Sequence, residues 1–283
     1  MEPRLDPGHS ALLERNLRRV QAQIDDCARA AGREPAEVEL VAVTKTVGVA
    51  TCARLLELGV PDLGENRVEP LARKHDALAR ATIPPRWHYI GHLQRNKARR
   101  VLQAASVVHS LDSLRLLEAV ERICAEEGLQ RSGYLQLKLW PEDSKGGADP
   151  SELEQLLDAA ARCRWLAIEG FMAMAPLLED EHAARSAAAE VFARCAELAR
   201  VHSSRFPRGC RLSMGMSGDY DLAIAAGAHV VRVGSALYEG LPETRPSHEG
   251  PSDAAPSDPA RDERHAPEGG ADGRTTSRSE DEA

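Results

Sequence analysis

Eight short apolar segments, most of them followed by a stretch with helical periodicity, constrain the fold of this 283-residue chain more than any other feature. The segments read VELVAVTK, PDLGEN, RWHYIG, SVVHSLD, YLQLKL, LAIEGFMAM, CRLSMGM and HVVRVGS. Strands that are apolar almost throughout and that alternate with helices are typical of a parallel sheet covered by helices. Eight such units within about 210 residues predict an α/β domain, a single closed (β/α)8 TIM barrel. A doubly wound open sheet is the alternative, but its first strand usually leads into a glycine-rich turn, and TKTVGV is not such a turn.

The two ends of the chain depart from this alternation. The segment GHSALLERNLRRVQAQIDDCARAAG has apolar side chains at helical spacing and predicts a helix that ends at Gly32. From Pro242 to Ala283 the chain has 11 acidic residues against 5 arginines, a net charge of −6 out of −8, and no large apolar residue. Such a segment cannot bury enough surface to offset the entropy of ordering it. We therefore expect residues 1–241 to form the barrel with its N-terminal helix, and residues 242–283 to form a disordered acidic tail.

Composition and charge argue against several classes of partner. No apolar run reaches the ~18 residues that span a bilayer, and the first ten residues lack the apolar core of a secretory signal. We expect no membrane association and a cytoplasmic protein. The barrel region is nearly neutral, so a nucleic-acid partner is not expected. No long exposed apolar stripe indicates an obligate dimer, and we expect a monomer. The cysteines have no CxxC spacing and are interpreted as reduced thiols rather than zinc ligands; they are Cys27, Cys52, Cys124, Cys163, Cys195 and Cys210.

Lys45 ends the first apolar segment, where a flexible cation is unexpected if the strand is buried. In (β/α)8 barrels the carboxyl ends of the strands form the active face. A lone lysine at such a position can simply extend its ammonium to solvent. Its interpretation therefore depends on what the other strand ends carry.

The second and third segments end in polar residues that allow more than one role. Asn66, in GENRVE, could bind a hydroxyl or carbonyl of a ligand or cap the helix that follows. His88 and His92 share one face of WHYIGHLQRNK. No third metal ligand is evident, so a metal site is not predicted. We expect His88 to line the pocket or to satisfy a hydrogen bond in the core.

The seventh and eighth segments each end in a turn rich in glycine and serine. The first turn contains Ser213, Gly215, Ser217 and Gly218 before a helix that starts near Asp219. The second turn contains Arg232, Gly234 and Ser235 before a predicted short helix. The loops after strands 7 and 8 are the usual phosphate site of these barrels, because their backbone N–H groups and a helix dipole favour an anion. The two turns together predict a phosphate-bearing ligand.

A lysine across the barrel mouth from a phosphate site indicates a Schiff base with a phosphorylated aldehyde or ketone. Lysine suits this chemistry because burial can free its amine. Two ligands fit the pattern: pyridoxal 5'-phosphate, or the sugar phosphate of a class I aldolase. Residue types alone leave both open.

Several motifs, taken in order and spacing, resemble the pyridoxal phosphate homeostasis protein family. They are VAVTKT, GENRVEP…K, WHYIGHLQRNK, HSLDS, EDSKGG, GFMAMAP and LSMGMSGDYDLAIAAGAHVVRVGSALY. The resemblance covers roughly residues 10–241. The resemblance implies a barrel like the N-terminal domain of alanine racemase, with a fold-type III site for pyridoxal phosphate.

The resemblance also implies roles for individual residues. Lys45 would carry the cofactor as an internal aldimine, and Arg232 would face the pyridine nitrogen. The phosphate would lie against the turns after strands 7 and 8. An arginine at the ring nitrogen disfavours its protonation and weakens the ring as an electron sink. The implied cofactor-binding residues are Lys45, Asn66, His88, Met172, Ser213, Met214, Gly215, Ser217, Arg232, Gly234 and Ser235.

Members of that family are regarded as holding and supplying the cofactor rather than turning over a substrate. The resemblance therefore implies a carrier of pyridoxal phosphate, with apo forms of pyridoxal phosphate enzymes as recipients. A monomeric racemase or lyase is the alternative, although racemisation needs a second acid/base opposite the lysine. The chain departs from the family at Lys138, where Asn is usual, and at YEG (Tyr238, Glu239, Gly240), where the last motif of the family often ends in Phe-Gly. Lys145 matches the family and is expected at the surface or near the ligand.

Overall fold

The computed structural model describes residues 5–141 and 146–242. The predicted tail beyond Pro242, and Lys145, lie outside the described residues. The eight apolar segments form a closed barrel of parallel strands in sequence order. The strands are β1 (Glu39–Val43), β2 (Asp62–Glu65), β3 (Arg86–Tyr89), β4 (Val107–Leu111), β5 (Arg131–Gln136), β6 (Leu166–Met172), β7 (Arg211–Ser213) and β8 (Val230–Val233). The predicted (β/α)8 barrel is confirmed, and the doubly wound alternative is wrong.

Helices cover the outside of the barrel, as the apolar strands require. They are α1 (Pro7–Ala30), α2 (Val49–Glu57), α3 (Val68–Leu78), α4 (Ala98–Ala104), α5 (Leu114–Glu127), α6 (Leu153–Ala160), α7 (Glu181–Val201) and α8 (Tyr220–Ala225). Short 3-10 turns occupy Pro35–Glu37, Arg95–Lys97, Pro150–Glu152 and Ser203–Arg205. The amphipathic pattern of α1 buries its apolar stripe, including Leu13, Leu17 and Val20.

The N-terminal helix α1 takes the place of a helix after β8. The predicted short helix after β8 is wrong, because residues 235–240 form turns and a bend. Asn16 of α1 donates its amide to the carbonyls of Leu237 (3.1 Å) and Glu239 (2.9 Å). On one side α1 packs on α8, and on the other Glu14 pairs with Arg54 of α2 at 3.1 Å. The first helix of the chain therefore closes the outer ring where its last strand ends.

Two apolar clusters form the core. The larger one lies between the strands and the helices, and it includes Leu63, Leu111 and Phe171. The smaller one comprises Val41, Val107, Tyr134, Met172 and Val230, from β1, β4, β5, β6 and β8, and fills the interior of the barrel.

None of the helices within residues 5–141 and 146–242 is long and apolar enough to cross a bilayer. The six cysteines carry free thiols, which agrees with their interpretation as unpaired residues.

Candidate functional site

A cavity of about 620 Å³ opens where the strands end at their carboxyl side. Lys45, Asn66, Ser217, Arg232, Gly234 and Ser235 all line it, so six predicted site residues from four strand ends lie around one space. This is the face at which (β/α)8 enzymes bind their ligands. The remaining lining residues are Val43, Thr46, Val47, Ile90, Gly91, Met174, Met216, Gly218, Tyr238, Leu241 and Pro242.

Lys45 lies in the turn between β1 and α2, with an exposed side chain. The residue before it, Thr44, is completely buried and donates its hydroxyl to the Gly64 carbonyl at 3.1 Å. Lys74 of α3 donates to the Thr44 carbonyl at 2.7 Å. These two hydrogen bonds fix the backbone next to Lys45, while the Lys45 side chain lines the cavity.

A buried ion pair stands behind that turn. Lys74 and Glu65 form a salt bridge with side chains that are 3% and 0% exposed. Glu65 also accepts from the Thr44 hydroxyl at 3.2 Å and from the backbone N–H of Asn66 at 3.2 Å. One carboxylate thus links the ends of β1 and β2. Sequence reasoning assigned no role to this pair, although both residues lie within the motif GENRVEP…K.

Asn66 lies at the cavity, next to the segment that follows β3. A Cβ atom added at Gly91 would stand 2.1 Å from the Asn66 carbonyl oxygen, so the two backbones are in tight contact. The alternative role of Asn66 as a helix cap is wrong, because Arg67 holds the N-cap position of α3. Its side chain is therefore not committed to capping α3.

The turns after β7 and β8 meet at the hydroxyl of Ser217. Its oxygen accepts from the backbone N–H groups of Gly234 (3.2 Å) and Ala236 (3.5 Å). The two amides converge on one point, where Ser217 Oγ lies in this structure, and the same convergence would suit an oxygen of an anionic ligand. Gly215 has φ of +93°, and a Cβ there would come within 2.6 Å of the Ala223 side chain, so only glycine fits this turn.

Arg232 projects from β8 into the cavity wall and is 3% exposed. It donates from Nη1 to Ser213 Oγ at 2.7 Å and from Nη2 to the Ala173 carbonyl at 3.2 Å. Burial lowers the pKa of Arg232 to about 10, and Asp219 partly opposes this effect. The guanidinium therefore remains charged near neutral pH and acts only as a donor.

The other predicted site residues do not line the cavity. Met172 belongs to the apolar cluster inside the barrel, and Ser213, Met214 and Gly215 are buried at the end of β7. His88 is 1% exposed and bonds to His109 and to Asp62. Of the two roles expected for His88, the core hydrogen bond is the one observed.

His92 does not join His88 in a metal site. The His92 side chain is 63% exposed and lies 3.4 Å from Asp112. Within residues 5–141 and 146–242, no group of three or more His, Cys, Asp or Glu side chains could hold a metal ion.

The two departures from the family pattern lie near the cavity. Lys138 follows β5 and lines a small recess that it shares with Met174, which also lines the main cavity. Tyr238 lines the cavity and is 8% exposed. Burial, with Cys52 and Glu65 nearby, raises the pKa of Tyr238 well above its ordinary value, so the phenol stays protonated.

Comparison with known proteins agrees with this geometry. Residues 15–242 match the family model described as alanine racemase, N-terminal domain. The chain is 36% identical over 223 residues to the pyridoxal phosphate homeostasis protein of Pseudomonas aeruginosa, covering 79% of this chain and 93% of that protein. It is 33% identical over 224 residues to the protein of the same name from Escherichia coli K12, covering 79% and 94%.

Solved structures of similar proteins point to the same family and the same fold. PipY of Synechococcus elongatus without pyridoxal phosphate is similar with a TM-score of 0.70 and 32% identity, covering 80% of this chain and 99% of PipY. PipY with pyridoxal phosphate bound has a TM-score of 0.64 and 34% identity, covering 76% and 99%. Alanine racemase from Bartonella henselae, at 20% identity, 81% and 58% coverage and a TM-score of 0.60, shares the fold. With a family model over most of its length and relatives of this identity, the chain belongs to the pyridoxal phosphate homeostasis protein family, whose barrel is of the alanine racemase N-terminal type.

Proposed function

We propose that this protein binds pyridoxal 5'-phosphate reversibly through Lys45 and serves in pyridoxal phosphate homeostasis. One observation carries the proposal: a lysine amine, a converging pair of backbone amides and a buried arginine surround a single cavity. The names of the curated relatives and the ligand of PipY support the same cofactor. The residues present fit the three functional groups of this cofactor, which are an aldehyde, a phosphate and a ring nitrogen.

Each of these functional groups has a counterpart in the chain. Lys45 supplies the amine for the aldehyde. Ser217, Ser235 and the amides of Gly234 and Ala236 supply donors for the phosphate, and Gly234 lets the backbone approach closely. Arg232 supplies a charged donor for the ring nitrogen. Asn66, which also lines the cavity, would contact a ring substituent. Ser213, Met214, Gly215, Met172 and His88 support these groups from the interior.

When bound, pyridoxal phosphate supplies an electrophilic aldehyde and an electron-withdrawing ring. A charged arginine facing the ring nitrogen opposes its protonation, which limits the electron withdrawal available for carbanion chemistry. Among the described residues that line the cavity, the ionisable side chains are Lys45, Arg232 and Tyr238. Arg232 and Tyr238 both hold their protons near neutral pH. These three side chains therefore favour a role in binding the cofactor over a role in moving protons to and from a substrate.

The first experiment tests Lys45. Purified protein is titrated with pyridoxal phosphate, reduced with borohydride and digested, and the modified peptide is identified by mass spectrometry. We expect visible absorbance near ~420 nm, general chemistry of the bound cofactor, and modification at Lys45. The spectrum and adduct should be lost in Lys45→Ala and kept in Lys138→Ala, a control lysine in the neighbouring recess. An adduct on another side chain, or no visible species in the wild type, contradicts the proposal.

A second experiment separates a carrier from an enzyme. The loaded protein is incubated with amino acids in deuterated water, and exchange at the α-carbon is followed by NMR. Exchange at many turnovers per second, within the ordinary enzyme range, supports a racemase or lyase instead. A carrier shows no sustained exchange.

Delivery to apoenzymes is the finer part of the proposal. We propose that apo pyridoxal phosphate enzymes in the cytoplasm accept the cofactor from a monomeric carrier. Recovery of activity in an apoenzyme should exceed the rate set by release of free cofactor, and light scattering should give the mass of one chain. Recovery at the rate of release, or the mass of a dimer, would refute the corresponding part.

A further inference from the structure

Five polar side chains form a continuous hydrogen-bonded line through the interior of the barrel. Arg232 Nη1 donates to Ser213 Oγ at 2.7 Å, and Ser213 Oγ lies 2.8 Å from His109 Nδ1. His109 Nε2 lies 2.8 Å from His88 Nδ1, and His88 Nε2 lies 3.0 Å from Asp62 Oδ1. The line starts at the cavity wall and ends at the first residue of β2, on the opposite face of the barrel.

Burial makes this line unusual. Ser213, His109, His88 and Arg232 are 0%, 0%, 1% and 3% exposed. Polar groups at such depth are costly unless they are paired. His109 also stacks on Tyr134, with ring centroids 4.8 Å apart. The barrel therefore surrounds the line with packed side chains that fix its geometry.

The direction of every hydrogen bond follows from the two ends. Arg232 can only donate and the Asp62 carboxylate can only accept, so with neutral imidazoles the Ser213 oxygen accepts from Arg232 and its hydrogen goes to His109 Nδ1. His109 then carries its proton on Nε2 and donates to His88 Nδ1. His88 in turn carries its proton on Nε2 and donates to the Asp62 carboxylate. With both imidazoles neutral, Ser213, His109 and His88 each donate once and accept once along the line between the Arg232 cation and the Asp62 anion.

Burial, together with the nearby positive charges of Arg232 and Arg86, lowers the pKa of His109 well below its ordinary value. This agrees with a neutral imidazole at the centre of the line. The direction assigned above needs no charged histidine.

We propose that Asp62, His88, His109 and Ser213 are positioning residues that orient Arg232 as an obligate donor toward the cavity, so that the site selects a ligand ring with a hydrogen-bond acceptor. The inference rests on the proposed function, since it assigns the ring nitrogen of pyridoxal phosphate to Arg232. The guanidinium has five N–H donors, and its two bonds to Ser213 and Ala173 fix its plane while leaving donors for a ligand. A ligand without the acceptor would leave a buried charged donor unsatisfied.

The test compares pyridoxal phosphate with its 1-deaza analogue, in which C–H replaces the ring nitrogen and the aldehyde and phosphate are unchanged. Dissociation constants for both are measured spectroscopically on the full chain. We expect the wild type to prefer pyridoxal phosphate by about 10-fold to 100-fold, the size of a hydrogen bond to a charged group. The ratio of the two constants is the readout, because a general loss of structure weakens both ligands together.

Two variants break the line at different distances from the ligand. Ser213→Ala removes the link next to Arg232, and Asp62→Leu removes the terminal acceptor at the far face. Each should lower the preference ratio about fivefold, the size of one net hydrogen bond. Asp62→Asn keeps an acceptor for His88 and should retain the wild-type ratio. Ser110→Ala is the matched control, because Ser110 is a buried serine on β4 whose hydroxyl has no hydrogen-bond partner within residues 5–141 and 146–242.

The outcomes separate the two proposals. Wild-type protein that binds neither compound overturns the proposed function. Wild-type protein that binds both equally overturns the inference alone. A preference ratio that is unchanged in Ser213→Ala, or in Asp62→Leu if Ser213→Ala does not fold, also overturns it. An equal drop in Ser110→Ala would assign the effect to packing and reject the line.

Discussion

The buried pair of Lys74 and Glu65 predicts a large and specific loss of stability in Lys74→Met. The substitution keeps the length and apolar stem of the side chain but removes its charge, leaving a carboxylate that is 0% exposed. Removing one partner of a buried ion pair costs about 3–5 kcal/mol. Glu65 keeps bonds from the Thr44 hydroxyl and the Asn66 amide, so we expect about 3 kcal/mol, the lower end. For a domain of this size that corresponds to a fall in Tm of about 6–12 °C.

Urea unfolding followed by tryptophan fluorescence measures this loss, since Trp87 is 1% exposed within β3. The double variant Lys74→Met with Glu65→Gln should recover most of it, because the neutral amide no longer needs a counter-charge. The surface pair Arg122 and Glu126, at 2.8 Å with side chains 63% and 42% exposed, provides the control. Arg122→Met should cost less than about 1 kcal/mol.

The reasoning would be refuted if Lys74→Met cost no more than Arg122→Met. It would equally fail if Glu65→Gln added to the damage of Lys74→Met instead of relieving it. Because Lys74 also holds the Thr44 carbonyl, the single variant should weaken cofactor retention at Lys45.

Three further predictions concern the cavity and the pH response. Ser217→Ala combined with Ser235→Ala should weaken retention of pyridoxal phosphate about tenfold or more, because two hydrogen bonds to a charged group are lost. The affinity for pyridoxal without its phosphate should stay unchanged. Equal weakening of both ligands in equilibrium dialysis would contradict the phosphate site. Gly91→Ala should destabilise the protein by about 1–3 kcal/mol and displace Asn66, because the added Cβ would lie 2.1 Å from a backbone oxygen. Gly218→Ala is the control: a Cβ there would meet nothing within 4 Å, so the Tm in thermal unfolding should hardly change. Burial, together with Arg33 and Arg211, lowers the pKa of His229 to about 4, so unfolding takes up a proton below the unfolded pKa of about 6.5, and the free energy of unfolding falls by about 2 kcal/mol from pH 7 to pH 5. In urea titrations His229→Asn, which keeps an acceptor for the Leu212 amide, should lose about that much less stability over the same range. An identical pH response in the variant would show that the histidine does not contribute.

The architecture could be predicted from the sequence because parallel strands buried on both faces are apolar almost throughout. Errors occurred where side chains at strand ends are polar. The fifth segment, read from Tyr134, begins as a strand at Arg131 and ends at Gln136, since its first residues lie at the rim where polar groups meet water. Lys138 therefore lies past the strand end. The helix predicted after β8 was wrong because α1, distant in sequence, already covers that position.

Six of the predicted site residues line the cavity because the carboxyl ends of barrel strands meet at one rim. The other five do not line it; they are His88, Met172, Ser213, Met214 and Gly215. The buried hydrogen-bonded side chains behind the cavity could not be predicted in this way. Asp62 and His88 become neighbours through the pairing of Gly64 with His88 in β2 and β3, and His109 meets Ser213 across the barrel interior. Such contacts depend on strand register and on the closure of the barrel, which no local pattern in the sequence encodes.

The pairing of α1 with the end of the barrel also bears on how the molecule is made. Asn16 bonds to carbonyls 221 and 223 residues later, and β1 pairs with β8 along four positions. During synthesis the earliest helix must wait for the final strand, and contacts of such long sequence separation form slowly. A ribosome-bound chain that stops before residue 230 therefore lacks β8 and Arg232, and cofactor capture should begin only after the whole barrel has emerged.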